Sequence, residues 1–217
     1  MLTSVLKNKN FRNFFLADII SGFGSGMTLI GANWFLLKLT GENRFVALLM
    51  CITVSSALLV FPFAGTIADR FHRRQVMMLA NFVRAAFLLI VALLLWSHGA
   101  RPALLFLLAA VSGAGWSIFL PASRGFVQEI LPRKDYLHGS SLVEISLQVG
   151  MFAAAAVCGV IYKYFGFGTI LLIDAATFLV SNAFLSLIAY VPTSSLDRHE
   201  AFFSQFLMGG NISGGIN

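Results

Sequence analysis

The sequence predicts an all-α membrane protein of six transmembrane helices, and three observations lead there. Hydrophobic residues fill 58% of the 217 positions and charged residues only 11%, against roughly 25% charged in an average soluble domain. The mean hydropathy is +0.84. The apolar residues gather into six segments, about 11–37, 45–68, 75–97, 102–123, 139–165 and 167–191, each long enough to cross a hydrocarbon core of about 30 Å as a helix. Hydrocarbon offers the backbone no partners, so a span must satisfy its own polar groups. A closed barrel does so with strands of about ten residues that alternate apolar and polar. None of these segments alternates in that way, so helices remain.

The first segment exceeds the roughly 7–15 apolar residues of a signal-peptide core and has no clear small-x-small cleavage site, so it reads as a retained span. It carries Asp18, and Gly22 and Gly26 stand at the G-x-x-x-G spacing of close helix packing, with Gly24 between them. Asn33 and Trp34 follow. The second span leads into a short turn rich in arginine, and the third carries Asn81 and Arg84, the latter about 13 Å from the start of the span. The fourth contains Ser112, Gly113, Gly115 and Trp116. The fifth opens with Glu144 and Gln148, and the sixth holds Asp174 and Asn182. Asn81, Gln148 and Asn182 are expected to form interhelical hydrogen bonds. Cys51 and Cys158 fall inside spans and are expected as buried, reduced thiols. The chain thus divides into a six-span bundle, 1–192, and a stretch 193–217 that reads as a cytoplasmic linker and truncated tail.

A charged side chain within a span normally faces a partner or a cavity. Asp18, Arg84, Glu144 and Asp174 qualify, and Arg84 is expected to pair with Asp18 or Glu144. A carboxylate is expensive to keep charged at low dielectric, so Asp18, Glu144 and Asp174 are candidates for taking up and releasing protons. The alternative is static pairing, or snorkelling of Asp18 and Glu144 towards the interface. A guanidinium keeps its proton, which favours a structural role for Arg84.

Basic residues set the orientation. Lys7, Lys9, Arg12, Arg70, Arg73, Arg74, Arg124, Arg133, Lys134 and Arg198 fall on one side, and Lys38, Arg44, Arg101 and Lys163 on the other. The bias predicts that both termini are cytoplasmic. It also accounts for a net charge of +6 and a pI near 9.8. Cations divided among short loops form no stripe for a nucleic acid. The sequence contains no H-E-x-x-H, C-x-x-C, G-x-S-x-G or P-loop pattern, and His72, His98, His138 and His199 sit at loops or ends. No catalytic residue, metal site or cofactor is therefore expected.

Between the second and third spans stand Gly65, Asp69, Arg70, His72, Arg73 and Arg74. This run resembles the signature G-x-x-x-D-[RK]-x-G-[RK]-[RK] of major facilitator superfamily transporters, with His72 replacing the second glycine. In the fourth span, Ser112, Gly113, Ala114 and Gly115 resemble the end of a second motif, whose arginine position holds Ala109. In the fifth, Gly150 and Gly159 match the outer glycines of G-x-x-x-G-P-x-x-G-G, with Ala154, Ala155 and Cys158 between them. Pro121, Ala122, Ser123, Glu129 and Pro132, placed in the loop after the fourth span, look like the branch of bacterial macrolide and siderophore exporters.

The resemblance implies the amino-terminal half of a twelve-helix bundle in a bacterial inner membrane. It implies proton-coupled export of small amphipathic molecules by alternating access, with a uniporter or symporter cycle still open. Gly65, Asp69, Arg70, Arg73 and Arg74 would form the gate, Asp69 exchanging partners as two halves rock. The arginines could instead only set topology and touch anionic lipid. In the family the first and fourth helices line the cavity, which nominates Asn33, Trp34, Gly113 and Trp116. A complete path would need a second half or a second copy. The competing readings are a half-transporter working as a homodimer, or a non-transporting fragment or scaffold.

Overall fold

The computed structural model describes residues 2–99 and 101–189, and the side chains of residues 2–4, Asp69 and His98 lie outside that description. The stretch 193–217, expected as linker and tail, also lies outside the described residues. The described chain is helical throughout, without a strand: α1 (Leu2–Lys7), α2 (Lys9–Thr40), α3 (Asn43–Arg70), α4 (Arg73–His98), α5 (Pro102–Ile130), a 3-10 turn (Arg133–Asp135) and α6 (Tyr136–Ser186).

The ends of these helices have local causes. Asn8 caps α2, its side-chain oxygen accepting from the Asn10 and Phe11 amides at 2.9 and 3.3 Å. Gly41 ends α2 at φ 70°, and its amide donates to the Leu37 carbonyl. Pro102 opens α5, where its missing amide would have had no partner.

Two segments expected to be irregular are helical instead. Helix α5 runs to Ile130, so Pro121, Ala122, Ser123 and Glu129 are helical and only Leu131 and Pro132 belong to the turn. The cause is a continuing buried stripe. Phe119, Ala122, Phe126, Val127 and Ile130 share one core with Phe11 and Phe14, and Phe14 meets Phe126 edge-on at 5.6 Å. That burial outweighs the helix bond lost at Pro121. Likewise α3 continues past the expected end at residue 68 to Arg70, and only Phe71 and His72 form the turn. His72 sits at φ −61°, ψ 117°, a conformation open to any residue, so glycine is not needed there.

Helix α6 reverses direction at Gly166, whose φ of 79° and ψ of 176° are closed to residues bearing a side chain. Contacts with α2 show the reversal. Gly22 faces Leu147, Gly26 faces Met151 and Ala154, and Trp34 meets Tyr162, so the first arm (136–165) runs parallel to α2. Gly24 faces Asp174 and Gly31 faces Phe167 and Ile170, so the second arm (167–186) runs antiparallel. The two arms are therefore separate spans, six in all with α2 to α5. Helix α2 lies between them, its glycines admitting both, as the G-x-x-x-G spacing suggested.

Helix α4 packs antiparallel to the second arm of α6. The Asn81 amide donates to the Ser181 hydroxyl and to Asn182, and Asn182 donates to the Met78 carbonyl. Helix α3 packs chiefly on α5 and leaves apolar residues such as Leu58 and Leu59 exposed at 67% and 74%. Two expectations fail on exposed faces. Gln148 is exposed and makes no interhelical hydrogen bond among the described residues. Cys51 is exposed on α3, whereas Cys158 is buried and donates to the Met27 carbonyl.

Candidate functional site

At the end of the bundle where α4 begins, the Arg73 Nε lies 3.7 Å from Glu129 Oε1, with both side chains nearly buried. The Arg73 guanidinium rests on Gly125, where any Cβ would overlap it. The Arg74 Nη1 donates to the Ile188 carbonyl at 2.8 Å and Asn10 Nδ2 to the Ala189 carbonyl at 2.7 Å, holding the carboxyl end of the second arm. Asn8 Nδ2 donates to the Ile130 carbonyl at the end of α5. Arg70 is exposed. A Cβ added at Gly65 would meet nothing within 4 Å. The Asp69 side chain lies outside the described residues, so its partner in the expected gate is left unassigned.

Glu144 departs from the expectation of a buried charge. It is 53% exposed on the outer face of α6, where Arg124 donates to it at 2.8 Å. Asp18, by contrast, is 1% exposed. Its Oδ2 lies 2.5 Å from the Ser146 Oγ, which also lies 2.6 Å from the Val143 carbonyl. Asp18 Oδ1 has no hydrogen-bond partner among the described residues.

Further along the bundle, a cavity of about 450 Å³ opens between α2, α3, α5 and α6. Its wall is mostly apolar and includes Gly113 and Trp116, as nominated. Arg84 is the one lining residue from α4. Its stem passes Gly115, where a Cβ would stand 2.6 Å from Arg84 Cδ. The guanidinium lies 4.2 Å over the Phe178 ring centre and its Nη2 donates to Ser25 at 3.1 Å. Asp174, 2% exposed, also lines the cavity, in space that Gly24 leaves open. The Thr177 hydroxyl donates to the Asp174 carbonyl at 2.7 Å and also lies 3.4 Å from Oδ1. Arg84 and Asp174 attract one another across the cavity wall, with no ion-pair contact among the described residues.

The expected pairing of Arg84 with Asp18 or Glu144 is therefore corrected. Asp18 stands on α2 about 10 Å nearer the arginine-rich end than Ser25, the α2 residue that Arg84 reaches. Asn33 and Trp34 are also removed from the cavity lining. The Asn33 amide donates to Leu29 of its own helix. Trp34 is 52% exposed and packs edge-on against Tyr162. Sequence reasoning missed Ser25, Ser146 and Phe178, and treated Glu129 only as part of a loop. A small hydroxyl or a phenylalanine in an apolar span carries no signal of its own, because its partner is set by helix rotation.

A family model described as transmembrane secretion effector matches residues 3–209. The uncharacterised MFS-type transporter YkuC of Bacillus subtilis (strain 168) is 25% identical over 179 residues, covering 82% of this chain and 41% of the relative. The lysophospholipid transporter LplT of Pectobacterium carotovorum subsp. carotovorum (strain PC1) is 26% identical over 165 residues, covering 76% of this chain and 39% of the relative. The multidrug efflux pump Tap of Mycobacterium tuberculosis (strain ATCC 25618 / H37Rv) is 27% identical over 185 residues, covering 81% and 44%. The chain spans less than half the length of these curated relatives.

Proposed function

Because this multi-pass membrane chain belongs to the transmembrane secretion effector family of the major facilitator superfamily, we propose that it supplies one side of a transport path for a small amphipathic molecule, worked by alternating access. The observation that carries the reading is the apolar cavity of about 450 Å³ with Arg84 and Asp174 buried in its wall. Ligand sites of this size are mostly apolar with a few fixed polar groups. Two similar proteins bear the names multidrug efflux pump and lysophospholipid transporter; the first name fits export and the second an amphipathic cargo. A second half, or a second copy, would complete the wall beside α3. The bias of basic residues supports a bacterial inner-membrane orientation with Arg73 and Arg74 in the cytoplasm.

Proton coupling would act through Asp18. Ser146 has one hydroxyl proton and two acceptors in range, Asp18 Oδ2 and the Val143 carbonyl. With Asp18 charged, Ser146 donates to the carboxylate. With Asp18 protonated, the carboxyl donates to Ser146 Oγ and the hydroxyl turns to Val143. Gaining or losing a proton thus changes how α2 is held to α6, within a chain of two bonds. At the arginine-rich end, Gly65, Asp69, Arg70, Arg73 and Arg74 would gate the path, with Arg73 held on α5 and Arg74 on the end of α6.

Membrane vesicles carrying the full-length protein test the reading, with uptake of a fluorescent amphiphile followed while a pH gradient is imposed and collapsed. Accumulation that needs both protein and gradient is expected. Uptake no greater than in vesicles without the protein would refute transport, and uptake indifferent to the gradient would remove the proton.

A further inference from the structure

Arg84 is 7% exposed, yet most of its hydrogen-bonding capacity is unused. A guanidinium carries five N–H donors. Arg84 donates from Nη2 to Ser25, and its buried Nε has no partner among the described residues. Its nearest opposite charge, Asp174, makes no ion-pair contact with it among the described residues. A buried cation is costly unless acceptors surround it, so the cavity is short of an acceptor beside Arg84. The Phe178 ring and Gly115 fix where the guanidinium points. Ser117, on the same cavity wall and 3% exposed, has a hydroxyl that likewise finds no partner among the described residues. The same cavity is also lined by Val54, Leu58 and Phe61 of α3, which are apolar and more than half exposed.

We propose that the cavity takes an amphiphile with an anionic head group, a phosphate or a carboxylate, whose oxygens accept from Arg84 and whose apolar tail lies along Val54, Leu58 and Phe61. The assignment rests on the transport reading and names its substrate class. A planar fork of donors suits such a head better than a point charge would. A cationic head would meet Arg84 with like charge, and a neutral one would accept from it without the gain of an opposite charge. Phosphate and carboxylate heads occur both on membrane lipids and on free metabolites, and either source satisfies the same chemistry.

Calorimetry on the purified full-length protein tests this with octyl phosphate, octyltrimethylammonium and octanol added from water, and with lysophosphatidic acid delivered in phosphatidylcholine vesicles. Octyl phosphate is expected to bind about tenfold more tightly than octyltrimethylammonium, as a charge-assisted pair allows. Arg84→Gln should abolish that preference and Arg84→Lys should keep part of it. Gly115→Ala crowds the Arg84 stem while preserving its charge. It should weaken octyl phosphate severalfold and leave octanol unchanged, so the assignment can still fail or stand even if Arg84→Gln does not fold. Binding of octyl phosphate alone identifies a free amphiphile, and binding of lysophosphatidic acid alone identifies a lipid. A cation bound as tightly as the phosphate, no binding of either anion, or a preference that survives Arg84→Gln would overturn the assignment. Vesicle uptake that persists without anion preference would leave transport standing, and anion binding without uptake would do the reverse.

Discussion

Arg73 and Glu129 face each other at 3.7 Å where α4 begins and α5 ends, with side chains only 13% and 7% exposed. Gly125, one turn before Glu129, leaves the space in which the guanidinium lies. The second-last arginine of the motif is therefore built into the helix packing rather than displayed on a loop. Removing one member of such a pair takes away an opposite charge in a nearly dry place. Glu129→Gln is expected to lower stability by on the order of 3 kcal/mol. Pairing it with Arg73→Gln should recover part of that loss. A double-mutant cycle read by thermal unfolding in detergent checks this, and additive losses would show the two side chains to be independent.

The Asp18 carboxylate and Ser146 hydroxyl give the clearest test of coupling. Asp18→Asn preserves shape and can still bond Ser146, but it cannot exchange a proton. Gradient-driven uptake should fall by about a hundredfold, the scale of losing a positioned proton carrier, while exchange of labelled for unlabelled substrate continues. Ser146→Ala should instead lower stability by about 1–3 kcal/mol, because Asp18 loses its bonded partner. Gradient-driven uptake at full rate in Asp18→Asn would end the role proposed for this carboxylate.

Gly166 and Gly65 should respond oppositely to alanine. At Gly166, φ 79° and ψ 176° lie where a Cβ costs about 1–3 kcal/mol, so Gly166→Ala should lower the unfolding temperature and the membrane yield. Gly65 is helical with open space at its Cβ, so Gly65→Ala should raise stability by about 0.5–1 kcal/mol. Transport lost in a stabilised Gly65→Ala protein would mean that something outside the described chain closes on this position.

Close approach of α2 to the first arm of α6 predicts a rescue. A Cβ at Gly26 would lie 2.9 Å from the Ala154 Cβ, so Gly26→Ala should destabilise by about 1–3 kcal/mol. Adding Ala154→Gly should restore part of the loss. At Gly150 the nearest atoms are the Ile19 carbonyl oxygen and the Phe23 amide nitrogen, both at 2.8 Å. No side-chain change relieves backbone, so Gly150→Ala should resist rescue in the same unfolding assay.

Composition made the membrane-spanning helices legible, because 58% hydrophobic residues gathered into long runs leave few other folds. The ends of the helices were less legible. Pro121 reads as a stop, yet the buried stripe through Phe126 and Ile130 carries α5 past it. The charged residues show the same limit at the site. Asp18 and Glu144 look alike in sequence, each a carboxylate just inside an apolar run. One is sealed against Ser146 and the other is half exposed beside Arg124, because the rotation of each helix is set by its packing. The reach of Arg84 across to Ser25 depends on the small size of Gly115, a residue on a different helix. No spacing along the chain records that relation.

Helix α2 lies between the two arms of α6, and Asp18 is 128 residues away from Ser146. During synthesis at about 5–20 residues per second, roughly 6–25 s separate the arrival of the first from that of the second. Throughout that interval the glycine face of α2 and its acidic group lack the surfaces that enclose them in the finished bundle. Helix α2 is thus locked long after it is made, and what shelters it meanwhile must let go when the two arms of α6 arrive.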